Sequence, residues 1–371
     1  MIFQEYQRTD WQHKRHEQSG YKFMDTSAWP IAGIGRSIVN KWAELLPADN
    51  EFISKIKSTN DRQHDAALFE LLFFAFATSH GLPIKRIPAG EKKSPDFSVN
   101  ITNQPSFFEC TLVSNALYQE SVVKKVSAVN QMIDDLNGFG FFVSVNYDEV
   151  GLDALPKKPF TQFLLDLSAQ IDTNLAPGHS LYDLMFEYDE WKMNISFTRK
   201  NENIERNLGG YTQPYHSVNN FKPLYASLHR KRASNYSLND SPYVICLGID
   251  DMSAHHDEFT QALFGLSEDS PGFFVHRGEP LNTGVSAVFF CEYLKIFGLP
   301  STKITCYHHP YAVHPLQPGL LPVEEHHFTV KGIYLKRIIS GEEIPAIDVL
   351  KIDKELYFKA MELKNRMAPG Y

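Results

Sequence analysis

The chain has 371 residues, 43% of them hydrophobic, 22% charged and 13% aromatic, with a formal net charge of −8. These proportions suit a folded protein with an ample core and exclude wholesale disorder. The acidic balance excludes coating of nucleic acid by overall charge, so any phosphate contact must come from a local patch or a bound metal. The length exceeds the roughly 100 to 200 residues of one domain, which predicts one enlarged domain or two closely packed ones. Residues 1–59 read as an N-terminal extension: up to Ser27 they are polar and aperiodic, and the cluster His13, Lys14, Arg15, His16 reads as solvated. Asn60 or Asp61 then offers a helix cap, Ala66 to Thr78 is almost wholly apolar, and Gly81 supplies a stop, predicting a buried helix. Strands are predicted at Ile84 to Pro88, Asp96 to Ile101 and Ser106 to Val113, separated by turn-forming AGEKKSP and TNQP. Val122, Val126, Val129, Ile133 and Leu136 then line one helical face, and a strand follows from Phe141 to Asn146.

This order, helix, three strands, helix, strand, defines a core over residues 60–150. Residues 151–325 read as an α/β continuation or second subdomain. It has a helix from Phe160, a hairpin of Leu184 to Tyr188 with Trp191 to Phe197, and a polar stretch from Lys200 to Asn220 read as a substrate-contacting flap. A helix from Phe221 to Tyr236 follows, then a strand from Tyr243 to Ile249, a short helix ending near Gly265, and strands at Val285 to Cys291 and Ile304 to Tyr307. Residues 326–371 add a strand near Phe328 to Leu335 and a helix from Lys354 to Arg366. Cys110, Cys246, Cys291 and Cys306 fit no CxxC pattern and sit in apolar runs, which predicts reduced, buried thiols. The N-terminus lacks a secretory pattern and no apolar run approaches the roughly 20 residues that span a bilayer, so a cytoplasmic protein without membrane partners is expected.

Three carboxylates carry the chemical signal. Glu109 sits among Phe107, Phe108, Cys110 and Leu112, where an unpaired carboxylate is costly to desolvate. Asp96 opens the neighbouring strand, within reach of the same ion if the two strands pair. Glu70 interrupts AALFELLFFAFA, where a hydrophobe would be the unremarkable choice. Hard oxygen donors of this kind suit Mg²⁺ or Mn²⁺; a buried salt bridge is the competing explanation.

Glu70, the Pro95-Asp96 pair and Glu109 together resemble the PD-(D/E)xK nuclease superfamily over about 85 residues. The resemblance implies an α/β fold of restriction-endonuclease-like type, a mixed central sheet flanked by helices, here enlarged by a C-terminal α/β extension. It implies a metal-dependent nuclease that hydrolyses phosphodiester bonds, with Mg²⁺ or Mn²⁺ held by Asp96, Glu109 and Glu70. DNA is the implied partner, a homodimer is an open option, and bacterial DNA restriction, repair or defence is the implied setting. The superfamily continues Glu-x-Lys, whereas this chain has Thr111 at the lysine position. Lys125, opening the helix after the strands, is the expected substitute, its competing explanation being a solvated lysine beside a core face. LHRKRASNY, SPYVICLGI, ALFG, GVSAVFF and HHPYAVHPL extend the likeness to a bacterial restriction-endonuclease-like group with Glu-x-Thr, reaching about Leu316. The alternative is a catalytically inactive module on the same fold that binds nucleic acid or protein.

Arg230, Lys231 and Arg232, beside His229, form the densest basic cluster after the core and are candidate phosphate contacts, although a solvated helix face is also expected of them. His308, His309 and His314 match no HExxH or zinc-finger spacing and read as a turn with capping histidines. Gly33 and Gly35 in AGIGRS lack the Lys-Ser or Lys-Thr of a phosphate loop.

Overall fold

The N-terminal segment, expected to be an extension, is built into the core. Ile2 and Phe3 are buried, and the Asn40 side chain accepts hydrogen bonds from both of their N–H groups and donates one to the Phe3 carbonyl. This anchor is tertiary, which is why a polar, aperiodic sequence gives no sign of it. In the computed structural model the residues described are all but 13, 47–48, 89–92, 101–104, 114–116, 172–177, 202–205, 213–220, 239, 250–255, 266–270, 293–298, 300–301, 332–333, 342–344 and 368–371.

The chain begins with helices α1 (Gly20–Thr26), α2 (Pro30–Glu44), α3 (Asn50–Ile56) and α4 (Asp61–Ser79), then strands β1 (Ile84–Arg86), β2 (Phe97–Asn100) and β3 (Pro105–Leu112). Asn60 caps α4 as its sequence predicts, accepting a hydrogen bond from the Gln63 N–H, and Gly81 follows with a φ of +74°. Next come α5 (Leu117–Asp134), β4 (Phe141–Glu149), α6 (Lys157–Gln170), β5 (Ser180–Tyr188), β6 (Trp191–Arg199) and β7 (Leu208–Thr212). The chain continues with α7 (Phe221–Arg230), β8 (Tyr243–Gly248), α8 (His256–Phe264), β9 (Val275–His276), β10 (Glu279–Pro280), β11 (Ala287–Cys291) and β12 (Ile304–His308). It ends with β13 (Glu324–Lys331), β14 (Tyr334–Ser340), α9 (Ala346–Val349) and α10 (Lys354–Met367). One strand was expected near Phe328 to Leu335; the structure has two there, β13 and β14, paired antiparallel.

Two compact units divide these elements. The larger comprises Met1–Trp11, Ser19–Ser114 and Asn219–Pro369, and the smaller comprises Gln12–Gln18 and Asn115–Val218, with residues 370–371. The larger unit is mixed α/β, with an eight-stranded sheet in the order β1-β2-β3-β8-β11-β12-β13-β14. Alternation of side chains gives this sheet two buried faces. On one, Phe73 and Phe76 of α4 pack with Phe97, Phe108, Val244, Cys246 and Phe289, joined by residues of α2 and α10. On the other, Tyr243, Ile245, Leu247, Phe290 and Tyr307 pack under α7 and α8. Phe73 is 1% exposed and its ring lies 5.4 Å from that of Phe108; burying such a side chain contributes about 1.5–3 kcal/mol.

The strand parallel to β3 is β8, and parallel neighbours need a long crossover. The chain between them first forms the smaller unit and then returns through α7. Within the larger unit the order is therefore α4, β1, β2, β3, α7, β8. The helix and strand read as the continuation of the core, α5 and β4, belong to the smaller unit. There α5 packs Val122, Val126, Val129 and Ile133 with Phe160 and Leu164 of α6 against a sheet in the order β5-β6-β4-β7. Trp191, Met193, Ile195 and Phe197 alternate inward along β6, and Asp189, with a φ of 49°, turns the predicted hairpin. Among the described residues no helix is long and apolar enough to cross a membrane.

Candidate active site

Asp96 stands one residue before β2, and Glu109 lies inside β3. The antiparallel ladder pairs Phe97 with Phe108, so Asp96, one residue outward from β2, lies level with Glu109. The Cys110 N–H fixes this corner by donating to Asp96 Oδ2 at 2.7 Å. Glu109 is 3% exposed and lies beside Ile245 across the parallel ladder, on the face that α7 covers.

Glu70 reaches the same locality from α4. Burial above all, and next the Asp96 charge, push its carboxyl up to about 8, with Lys55 and Lys231 opposing. Burial and then the Glu109 charge push Asp96 up to about 7, against the pull of the Cys110 N–H, Lys231 and Arg86. Two carboxyls that resist ionisation beside a third mark a place where negative charge is crowded and short of cations.

The one cation in direct contact with Glu109 among the described residues is Lys231, whose Nζ donates to Glu109 Oε1. Lys231 directly follows α7; its N–H donates to the Leu228 carbonyl at 3.0 Å, and the Tyr243 hydroxyl donates to its own carbonyl at 2.6 Å. Both ends of the residue are thus held. Neither Glu109 Oε2 nor the nearby Tyr236 hydroxyl makes a well-formed hydrogen bond among the described residues, although the two side chains interact with each other. The Glu109 charge adds to burial in pushing the Tyr236 phenol far up. Lys93 Nζ lies 4.9 Å from the centre of the Tyr236 ring, bringing a further exposed cation to the rim.

The sequence-predicted residues divide between the units. Glu70, Asp96 and Glu109 all lie in the larger unit, near enough for their charges to act on one another. Thr111 follows Glu109 by two residues and points to the same face, as the lysine of a Glu-x-Lys motif would. Lys125 lies on α5 in the smaller unit, where its Nζ donates to the Gly151 and Leu152 carbonyls at 2.8 and 2.6 Å. Lys231, read as a phosphate contact, turns inward to Glu109, while Arg230 and Arg232 are exposed and Arg230 also donates to Ser227 Oγ at 3.0 Å. The signal for Lys231 was the basic cluster itself; its direction required the fold.

A buried group elsewhere in the larger unit could also hold a metal ion: Cys306, His308 and Glu325 offer ligand atoms that all lie within 4.8 Å of one another. Two of the loop histidines therefore have separate roles. His309 caps its turn, accepting from the Tyr311 N–H at Nδ1, whereas His308 ends β12 and faces Glu325. No protein-family model, curated protein or solved structure matches the chain.

Proposed function

We propose that the larger unit is a metal-dependent nuclease with a restriction-endonuclease-like core formed by α4, β1, β2, β3, α7 and β8. The observation that carries this reading is the electrostatic grouping of Glu70, Asp96, Glu109 and Lys231, in which Glu109 Oε2 has no well-formed hydrogen bond among the described residues and two carboxyls are pushed up to about 8 and 7. These residues fit a divalent cation: the donors are hard carboxylate oxygens, and the charge they lack is positive. Asp96 and Glu109 would hold Mg²⁺ or Mn²⁺, with Glu70 completing or tuning the set. When bound, the ion supplies a Lewis acid that activates water and offsets charge on the phosphoryl oxygens.

Lys231 takes the part that Thr111 leaves empty. It reaches the carboxylate from the end of α7, the helix that follows the three strands within this unit, and it keeps a cation against Glu109. Being 24% exposed at its side chain, it also has access to a phosphate oxygen at the mouth of the site. Cys110 N–H orients Asp96. Arg230 and Arg232, exposed beside it, suit contact with the nucleic-acid backbone, which is DNA in the setting the resemblance implies. A second reading rests on the Lys231–Glu109 ion pair: a site already neutralised in this way suits a module that binds nucleic acid without cutting it.

The deciding experiment incubates the full chain and Asp96→Ala with single- and double-stranded DNA and RNA, in Mg²⁺, Mn²⁺ or EDTA. Cleavage that requires the metal and is lost in the variant is the expected result. Retention of the substrate by a folded wild-type chain without any cleavage would favour the binding module.

A further inference from the structure

The strands at the far side of the large sheet carry a different set of donors. Cys306 and His308 alternate to one face of β12, and Glu325 pairs with Cys306 across the parallel β12–β13 ladder. All three are buried, at 0%, 8% and 3% exposed, in a region otherwise filled by Ile304, Val323 and Leu321. An imidazole and a carboxylate are poor core fillers, and with the adjoining thiol they make a coherent ligand set.

The state of the individual atoms points the same way. His308 Nε2 is buried without a well-formed hydrogen bond and lies 3.4 Å from Glu325 Oε2. The other Glu325 oxygen, Oε1, is taken by the Gly319 N–H at 2.9 Å, which orients the carboxylate and leaves Oε2 toward the histidine. The His327 ring stacks on His308 with centroids 4.3 Å apart and an interplanar angle of 15°, and its Nε2 lies 3.4 Å from the same Oε2. His327 Nε2 also lies 3.1 Å from Ser340 Oγ on β14. Such outer partners hold metal-ligating side chains in place. A plain His–Glu ion pair would explain two of the residues; Cys306 is buried like the other three cysteines, but among the described residues its sulfur alone joins such a pair, within 4.8 Å of both ligand atoms.

We infer that Cys306 Sγ, His308 Nε2 and Glu325 Oε2 form a zinc site that staples β12 to β13. Mixed sulfur, nitrogen and oxygen donors select Zn²⁺ over the hard Mg²⁺ suited to the carboxylate site. Three protein donors leave one position of a tetrahedral ion for water. Ligation converts the Cys306 thiol to a thiolate, with its proton released to solvent. His327 is a positioning residue, keeping the His308 ring and the Glu325 carboxylate in register.

The test uses the full chain, stripped with a chelator and reloaded with Zn²⁺ or Co²⁺. One equivalent of zinc per chain is expected, and the Co²⁺ form should show a thiolate-to-cobalt charge-transfer band in the near ultraviolet. Cys306→Ser should abolish the band, and Glu325→Gln and His308→Ala should release the metal. His327→Ala should weaken affinity by about 10–100-fold while the band persists. Asp96→Ala, at the other site, should leave both zinc content and band unchanged. A folded wild-type chain that takes up no zinc overturns the proposal, as does a band that survives Cys306→Ser. Should Cys306→Ser fail to fold, the same measurements on Glu325→Gln decide, and full zinc retention there overturns it too.

Discussion

Replacing Glu70 by Gln keeps the side chain's shape and removes its titration. The folded carboxyl sits at about 8, against an ordinary 4.5, because burial and the Asp96 charge oppose its ionisation. Its folded value is raised, so the folded chain keeps a proton that the unfolded chain releases, and stability is lost as pH rises from 4.5 toward 8. At pH 7 holding that proton costs about 3 kcal/mol, reduced to about 2 kcal/mol for partial exposure to solvent. Glu70→Gln should therefore stabilise the chain by about 2 kcal/mol at neutral pH, raise Tm by roughly 4–8 °C, and match wild type near pH 4.5. Thermal and urea melts in EDTA across that pH range give the comparison. A variant less stable than wild type at neutral pH, or a gap that does not grow with pH, would refute the reasoning, since it would mean that Glu70 is ionised and well paired. Under the proposed function the same variant should respond less to Mg²⁺, stability gained at the expense of binding.

Lys231→Met should act in the opposite sense. It strands a carboxylate whose side chain is only 4% exposed, and breaking a buried pair from one side costs about 3–5 kcal/mol, read as a fall in urea midpoint that Glu109→Gln in the same chain largely restores. In the smaller unit, Asp134 accepts from the Asn207 and Leu208 N–H groups at 2.9 and 2.7 Å and lies 3.2 Å from His16 Nε2. Burial pushes its carboxyl up, but His16 and those N–H groups outweigh this and hold it below the ordinary carboxylate range. Its stabilisation is therefore present above the ordinary value and lost as pH falls through the lowered one. Asp134→Ala should cost about 1.5–3 kcal/mol at neutral pH and blunt the acid unfolding of this unit, followed by tryptophan fluorescence.

How much of this was legible in the sequence follows from the range over which each signal acts. Caps, apolar periodicity and turn residues are local, so α4, the β5–β6 hairpin and most of the strands could be read from the chain. The carboxylates were legible for a related reason: Glu109 among phenylalanines and Glu70 inside an apolar helix are anomalies visible in a window of a few residues. The N-terminal segment was not, because its order depends on Asn40 reaching Ile2 and Phe3. The sheet neighbour of β3 was hidden for a further reason. A helix and strand did follow β3 at the expected distance, but they have their own apolar face, and Val122, Val126, Val129 and Ile133 bury it within the smaller unit. Periodicity states that a face will be buried without stating against what. Lys125 and Lys231 illustrate the consequence. Lys125 is the nearer in sequence, yet its Nζ is bonded to carbonyls of its own unit, while Lys231, 122 residues beyond Glu109, is the cation that meets it. If a lysine is needed beside Glu109, its position is set by the helix that crosses from β3 to β8, and α7 is that helix in the larger unit. Lys231 thus brings its charge to Glu109 from the end of the crossover.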